Sequence, residues 1–156
     1  MARPSKLDVG PFSVLQGDVS LKGTDGRFRS LLRDATVRPP PSVRRITSVR
    51  EVTLSRHPTK TTVGLTRYSR VRHVLVFSRP RQTLTFYSDL LNMLSRRAAE
   101  GVIAHELAHA WLNEHVHPVE SPEREREADD LARAWGFGPE LEALDNEAET
   151  VPPRTG

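Results

Sequence analysis

The sequence predicts an α+β fold in a single domain, with a small, mostly antiparallel sheet packed on one long helix and a second helix after it. Segments rich in β-branched residues lie before residue 88, and two capped segments with helical periodicity follow. The chain of 156 residues is long enough to form one hydrophobic core without disulfides.

A short helix is predicted near the N-terminus, where Asp25 can act as its cap. The apolar residues that recur there at helical spacing are Phe28, Leu31, Leu32 and Ala35. Three consecutive prolines, at residues 39–41, end this helix because proline lacks the backbone N–H and clashes with the preceding turn.

The predicted strands follow these prolines. Three strands are expected at residues 46–55, 61–68 and 71–78. Residues 79–82 contain Pro80 and are predicted to form a turn. Residues 83–87 then form either a fourth strand or the start of a helix.

Two longer helices are predicted in the second half. Ser95 caps the first, which runs to about Glu114, and Ser121 caps the second, with Pro122 at its first position. Each helix has an apolar stripe to bury: Ile103, Leu107, Ala110 and Trp111 on the first, and Ala128, Leu131, Ala132 and Trp135 on the second. Three small residues, Ala104, Ala108 and Ala128, would let the two helices approach closely.

The first of these helices carries the motif His105-Glu106-Leu107-Ala108-His109. A step of four residues returns an α-helix to within about 40° of its starting direction, so both imidazoles can reach one metal ion. Glu106 would lie beside the metal and could take a proton from a water molecule. This H-E-x-x-H pattern is typical of zinc-dependent peptidases.

A catalytic zinc ion needs a third protein ligand, for which the sequence offers two kinds of candidate. His115 follows His109 by six residues, but Leu112 occupies the position where a glycine would turn the chain out of the helix. We therefore expect His115 to point away from the metal. On the next helix, Glu125 and Asp129 are four residues apart, so the glutamate could bind the metal while the aspartate accepts a hydrogen bond from a ligand histidine.

Together, His105-Glu106-Leu107-Ala108-His109 and Glu125-Arg126-Glu127-Ala128-Asp129 resemble the two motifs of the gluzincins, a clan of zinc metallopeptidases. The E-x-x-A-D form is most similar to the small single-domain minigluzincins and to the catalytic core of their membrane-bound relatives. The resemblance extends in outline over residues 43 to 137, but only the ten motif positions carry it specifically.

The resemblance implies a zincin-like domain with one zinc ion (Zn²⁺) per chain, bound by His105, His109 and Glu125. It implies that Glu106 is the general base and that Asp129 supports a ligand, with Glu127 as the fallback ligand. It also implies that an edge strand, one of those between residues 61 and 87, binds an extended substrate through main-chain pairing.

Composition limits the other possibilities. The chain has no cysteine, so a zinc ion must be held by nitrogen and oxygen. It has neither the apolar run of a signal peptide nor 18 consecutive apolar residues, so we expect a cytoplasmic protein with no membrane partner.

Charge is distributed unevenly along the chain. Residues 1–82 contain 17 Lys and Arg against 5 Asp and Glu, whereas residues 83–156 contain 6 against 15. A basic half can bind nucleic acid, but pairing of the two halves within one fold is favoured.

The predicted organisation has three parts. Residues 1–42 form an N-terminal extension with a short helix and a Pro-rich linker, and residues 43–138 form the metallopeptidase core. Residues 139–156 form a short helix and, from residue 145, a flexible acidic tail. We expect a zinc metalloendopeptidase that acts on a peptide or protein substrate and that the tail could hold latent. The alternative is a metallopeptidase-like regulatory or nucleic-acid-associated protein that binds or cleaves a single partner, and residues 123–130 could also be only an exposed charged helix face.

Overall fold

A computed structural model describes residues 5–8, 10–56, 70–76, 79–116 and 121–148, with the backbone alone at 70–76 and 79–81. The strands are β1 (Ser5–Lys6), β2 (Ser20–Lys22), β3 (Val49–Ser55), β4 (Arg70–Val76) and β5 (Arg79–Tyr87). The helices are α1 (Gly26–Val37), α2 (Ser88–Leu91), α3 (Arg96–His115), α4 (Pro122–Ala132) and α5 (Gly138–Ala148), with a π-helical turn at Arg133–Phe137 between the last two.

The described strands form one sheet in the order β1-β2-β3-β5-β4. The predicted α+β class is confirmed, but the sheet is mixed rather than mostly antiparallel. β1 with β2 and β4 with β5 are antiparallel, whereas β3 is parallel to both β2 and β5. The parallel pairing of β2 with β3 follows from α1, which forms the crossover that connects them.

Residues 79–82 do not form the predicted turn, since they are the first half of β5, which continues through Tyr87. Pro80 is tolerated there because β3 begins to pair with β5 only at Gln82, so the strand has one neighbour before that point. The uncertainty over residues 83–87 is settled in favour of a strand.

The other predicted strands are found in part. The strand expected at 46–55 begins at Val49, while Ile46 forms an isolated bridge with Leu15. The strand expected at 71–78 corresponds to β4, and the one expected at 61–68 lies outside the described residues.

The predicted helix caps are confirmed. The Asp25 carboxylate accepts a hydrogen bond from the backbone N–H of Phe28 (2.8 Å). Ser95 and Ser121 do the same at the starts of α3 and α4, each at 3.1 Å. Each bond satisfies a backbone donor that has no partner inside its own helix. None of the helices in the described part of the chain is long and apolar enough to cross a lipid bilayer.

Buried side chains on both sides of residue 42 belong to one hydrophobic cluster. Leu15, Leu31 and Leu32 from the N-terminal segment are completely buried, as are Ile103 and Leu107 on α3. The N-terminal segment therefore contributes to the core that supports α3. The division of the chain at residues 42 and 138 stays a prediction.

The C-terminal helix is longer than expected. Gly136, a residue type that often ends helices, has a φ of 100° inside the π-helical turn that leads from α4 into α5. α5 continues to Ala148, so residues 145–148 are helical instead of the start of a flexible tail, and the rest of the predicted tail lies outside the described residues. The carboxylate of Glu147 accepts hydrogen bonds from Ser95 N (2.8 Å) and Oγ (2.6 Å), which lower the pKa of Glu147 and join α5 to the start of α3.

Replacement of Gly101 by alanine is expected to destabilise the fold by about 1–3 kcal/mol, measured by urea denaturation. The new Cβ would lie 2.6 Å from the carbonyl oxygen of Glu140, so α3 and α5 would have to move apart. Gly26→Ala, at the first position of α1, is the matched control, because nothing lies within 4 Å of its Cβ. We expect that change to be neutral or to stabilise by about 0.4–1 kcal/mol. Equal losses in the two variants would contradict the close approach of α3 and α5.

Candidate metal centre

Two histidines from α3 and one glutamate from α4 converge on one point. The Nε2 atoms of His105 and His109 are 3.0 Å apart. The two carboxylate oxygens of Glu125 lie 3.1 Å from these atoms, Oε2 beside His105 and Oε1 beside His109. The three groups can therefore offer their ligand atoms to a single ion.

The donor set and its dimensions fit zinc. Ligand atoms around a tetrahedral zinc ion are about 3.3 Å apart, given metal–ligand bonds of about 2.0–2.1 Å. The observed separations of 3.0–3.1 Å are slightly shorter, so a small outward movement of the side chains would admit the ion. The fallback ligand Glu127 is not part of this cluster: its side chain is 54 % exposed and pairs with Arg124 at 3.3 Å.

Small side chains allow the two ligand-bearing helices to approach. Ala104 and Ala108 on α3 and Ala128 on α4 are completely buried. Since none of them extends beyond Cβ, the short Glu125 side chain can span from α4 to the histidines. This is the close approach that the sequence predicts from the same three alanines.

Asp129 lies one turn after Glu125 and hydrogen-bonds His105. Its Oδ1 is 2.7 Å from Nδ1 of His105, on the far side of the ring from the cluster. An ionised carboxylate can only accept, so Nδ1 donates and carries a proton. The ring is thereby held with Nε2 towards His109 and Glu125, as metal-binding imidazoles usually are.

The electrostatics of the cluster favour a cation. Burial alone lowers the pKa of His105, but its hydrogen bonds with Asp129 and Glu125 outweigh burial and raise the pKa to about 10. Burial raises the pKa of Glu125, yet the hydrogen bonds with His105 and His109 hold it below its ordinary value. Without a metal the carboxylates thus stabilise a proton on His105 Nε2. A metal ion would replace this proton, because a ligand imidazole must be neutral at the coordinating nitrogen.

Glu106 lies beside the cluster, not within it. Its side chain is 5 % exposed, and its Oε1 is 4.0 Å from His105 Nε2. Burial raises the pKa of Glu106 to about 8, against the opposing effect of the His105 charge. A carboxylate in this position is close enough to exchange a proton with a water molecule at the cluster.

The structure keeps His115 away from the cluster, as the continuous helix predicts. Its Nε2 lies 2.9 Å from the carbonyl oxygen of Arg45 and 3.0 Å from a Glu114 carboxylate oxygen, and its ring packs on Trp111. Tyr68 and His117, whose side chains could by their chemistry stabilise a developing oxyanion, lie outside the described residues.

Sequence reasoning missed Gln82, which it placed in a turn. Gln82 is 1 % exposed and lies on β5 below α3, where its amide hydrogen-bonds Ser48 and the carbonyl oxygen of Ala110. The sequence signal for its burial is the period of two in a strand: Gln82 is in phase with Leu84 and Phe86, and all three are buried on one face of β5.

Removal of the Asp129 carboxylate is expected to weaken zinc binding by about 10- to 100-fold, because His105 would lose the group that orients its ring. Asp129→Ala is compared with Asp130→Ala in a chelator competition assay. Asp130 is the control because its side chain is 80 % exposed and, among the described residues, forms an ion pair only with Arg133, at 3.8 Å. Equal zinc affinities of the two variants would show that Asp129 does not support a metal ligand.

Comparison with known families agrees with this chemistry over part of the chain. Residues 70–124, about a third of the 156 residues, match the model of Peptidase family M48. The match contains His105, Glu106 and His109 and ends one residue before Glu125. No curated protein and no solved structure matches the chain. Over the matched residues the chain is similar to a family of zinc-dependent metallopeptidases, which supports a zinc metallopeptidase in general.

Proposed function

We propose that this protein is a zinc-dependent metallopeptidase that hydrolyses peptide bonds. The observation that carries the proposal is the convergence of His105, His109 and Glu125 at separations of 3.0–3.1 Å, with the buried Glu106 carboxylate beside them. The match of residues 70–124 to Peptidase family M48 supports the same activity independently of Glu125.

His105, His109 and Glu125 would hold one zinc ion per chain. When bound, the ion would supply positive charge that polarises the substrate carbonyl and lowers the pKa of a water molecule. Asp129 keeps the His105 ring in the orientation that this requires, through the 2.7 Å hydrogen bond at Nδ1.

Glu106 moves the protons in the proposed reaction. It accepts a proton from the attacking water as the new C–O bond forms at the scissile carbonyl carbon. It then delivers this proton to the leaving nitrogen as the C–N bond breaks. The second water proton stays on the new carboxyl group, so the products are a carboxylic acid and an amine, which become a carboxylate and an ammonium group at neutral pH. Burial of Glu106 beside His105 keeps the carboxylate in place for both transfers.

The substrate is proposed to be an extended peptide that pairs with β4. Among the described strands, β4 is at the edge of the sheet, on the side next to β5. Main-chain hydrogen bonds to such an edge would hold a peptide with little regard for its side chains. A peptide bound in this way can extend beyond the metal site on both sides of the scissile bond. We therefore propose that the protein cleaves bonds within a chain, as an endopeptidase.

Glu106→Gln is expected to lower the rate of peptide hydrolysis by about 100- to 10,000-fold while zinc stays bound, because the amide cannot accept the water proton. Cleavage of an unstructured protein and of a fluorogenic peptide measures the loss, with zinc content determined on the same samples. Glu127→Gln makes the same chemical change at an exposed position and is expected to retain activity.

Equal activity of Glu106→Gln and the wild type would contradict the proposed role. A zinc-loaded wild type that cleaves neither substrate but forms a salt-sensitive complex with nucleic acid, or binds one protein partner, would favour the regulatory alternative.

A further inference from the structure

A buried polar network joins the sheet to α3 directly after the second ligand histidine. Gln82, Ser48 and Asn113 are 1 %, 8 % and 7 % exposed. Nε2 of Gln82 donates to Ser48 Oγ (2.7 Å) and to the carbonyl oxygen of Ala110 (2.9 Å). Oε1 of Gln82 accepts from the Asn113 amide (3.2 Å).

Gln82 is specifically suited to this position. Both donors of its side-chain amide are used, its oxygen is used, and its backbone N–H donates to Ser48 O (2.9 Å). The next inward-facing residues of β5, Leu84 and Phe86, are completely buried apolar side chains. A polar side chain in such a row is costly unless all its groups are satisfied, so the network indicates a specific role for Gln82.

The two ligand histidines are supported differently. His105 is oriented by Asp129 at 2.7 Å. For His109, no hydrogen bond reaches Nδ1 from the residues whose side chains the structure describes, namely 5–8, 10–56, 82–116 and 121–148. Apart from its contacts with His105 and Glu125, the direction of the His109 ring therefore depends on where the α3 backbone holds its Cα and Cβ atoms.

Gln82 fixes that backbone next to His109. Its bond to Ala110 O is one residue away from the ligand, and its bond to Asn113 is one helical turn further on. The end of α3 is also held by Trp111, Glu114 and His115, which hydrogen-bond residues 44–47. Of these contacts, the one from Gln82 is the nearest in sequence to His109.

We propose that Gln82 is a positioning residue for the metal centre, which orients His109 by anchoring the α3 backbone at Ala110 to the sheet. The role rests on the proposed function, because His109 needs a fixed direction only if it binds a metal. Gln82 does not contact the metal or the substrate in this role. It acts through the helix, as Asp129 acts through the His105 ring.

The test is zinc affinity of the full chain with Gln82→Leu, which keeps side-chain bulk but removes all side-chain hydrogen bonds. We expect about tenfold weaker zinc binding in chelator competition, the low end of the effect of removing a group that supports a ligand. With cobalt(II) in place of zinc, we expect the visible absorption bands to shift, because they report the coordination geometry.

Val19→Ala is the control for a general loss of stability. Val19 is 1 % exposed and lies just before β2, which β3 separates from β5. The two variants are compared below their melting temperatures. We expect Val19→Ala to melt earlier but to keep wild-type zinc affinity and the wild-type cobalt spectrum. Gln82→Leu with the affinity and spectrum of Val19→Ala would overturn the proposal.

Ser48→Ala provides a milder variant in case Gln82→Leu does not fold. It removes one of the two acceptors of the Gln82 amide, so we expect a smaller loss of zinc affinity in the same direction, and wild-type affinity would again overturn the role of Gln82. A wild-type protein that binds no zinc would reject the proposed function itself. A wild type that binds zinc, with variants that bind it equally well, would reject only the role of Gln82.

Discussion

The contact between α3 and α4 is the constraint on which the candidate site depends. The two histidines are fixed relative to each other by one helical turn, but a third ligand has to come from another element. The buried alanines at 104, 108 and 128 let α4 lie close enough for Glu125 to reach both imidazoles at 3.1 Å. A larger side chain at any of these positions would push α4 away from α3 and so move Glu125 away from the histidines, although no ligand residue itself would change.

The same contact concentrates negative charge around the imidazoles. Glu125 and Asp129 from α4 and Glu106 from α3 surround His105, whose pKa they help to raise to about 10. Burial alone would oppose any charge here, so a cation among these carboxyl groups stabilises the arrangement. With no metal bound, the raised pKa of His105 favours a proton in this role. A divalent ion bound by two imidazoles and one carboxylate would balance the negative charge of the carboxyl groups more completely than one proton does.

The features that could be predicted from the sequence are those set by local spacing. Ser95 and Ser121 start the helices as predicted, and the four-residue steps within each motif place the ligand side chains on one face. The order of strands in the sheet is harder to predict from the sequence, because β5 lies between β3 and β4, and local spacing does not indicate this. Pro80 indicates a turn unless it is known that β5 has a single neighbour there. The partners of Gln82 lie 28 to 34 residues away, so only the folded chain shows them.

The most direct test of the account is the zinc content of the purified wild type beside Glu125→Ala and Glu127→Ala, after zinc has been supplied and excess removed. The two glutamates differ by two positions on α4, but only Glu125 lies against the histidines, while Glu127 is 54 % exposed. We expect one zinc ion per chain in the wild type and in Glu127→Ala, and its loss in Glu125→Ala. Zinc retained in Glu125→Ala, or no zinc in the wild type, would contradict it.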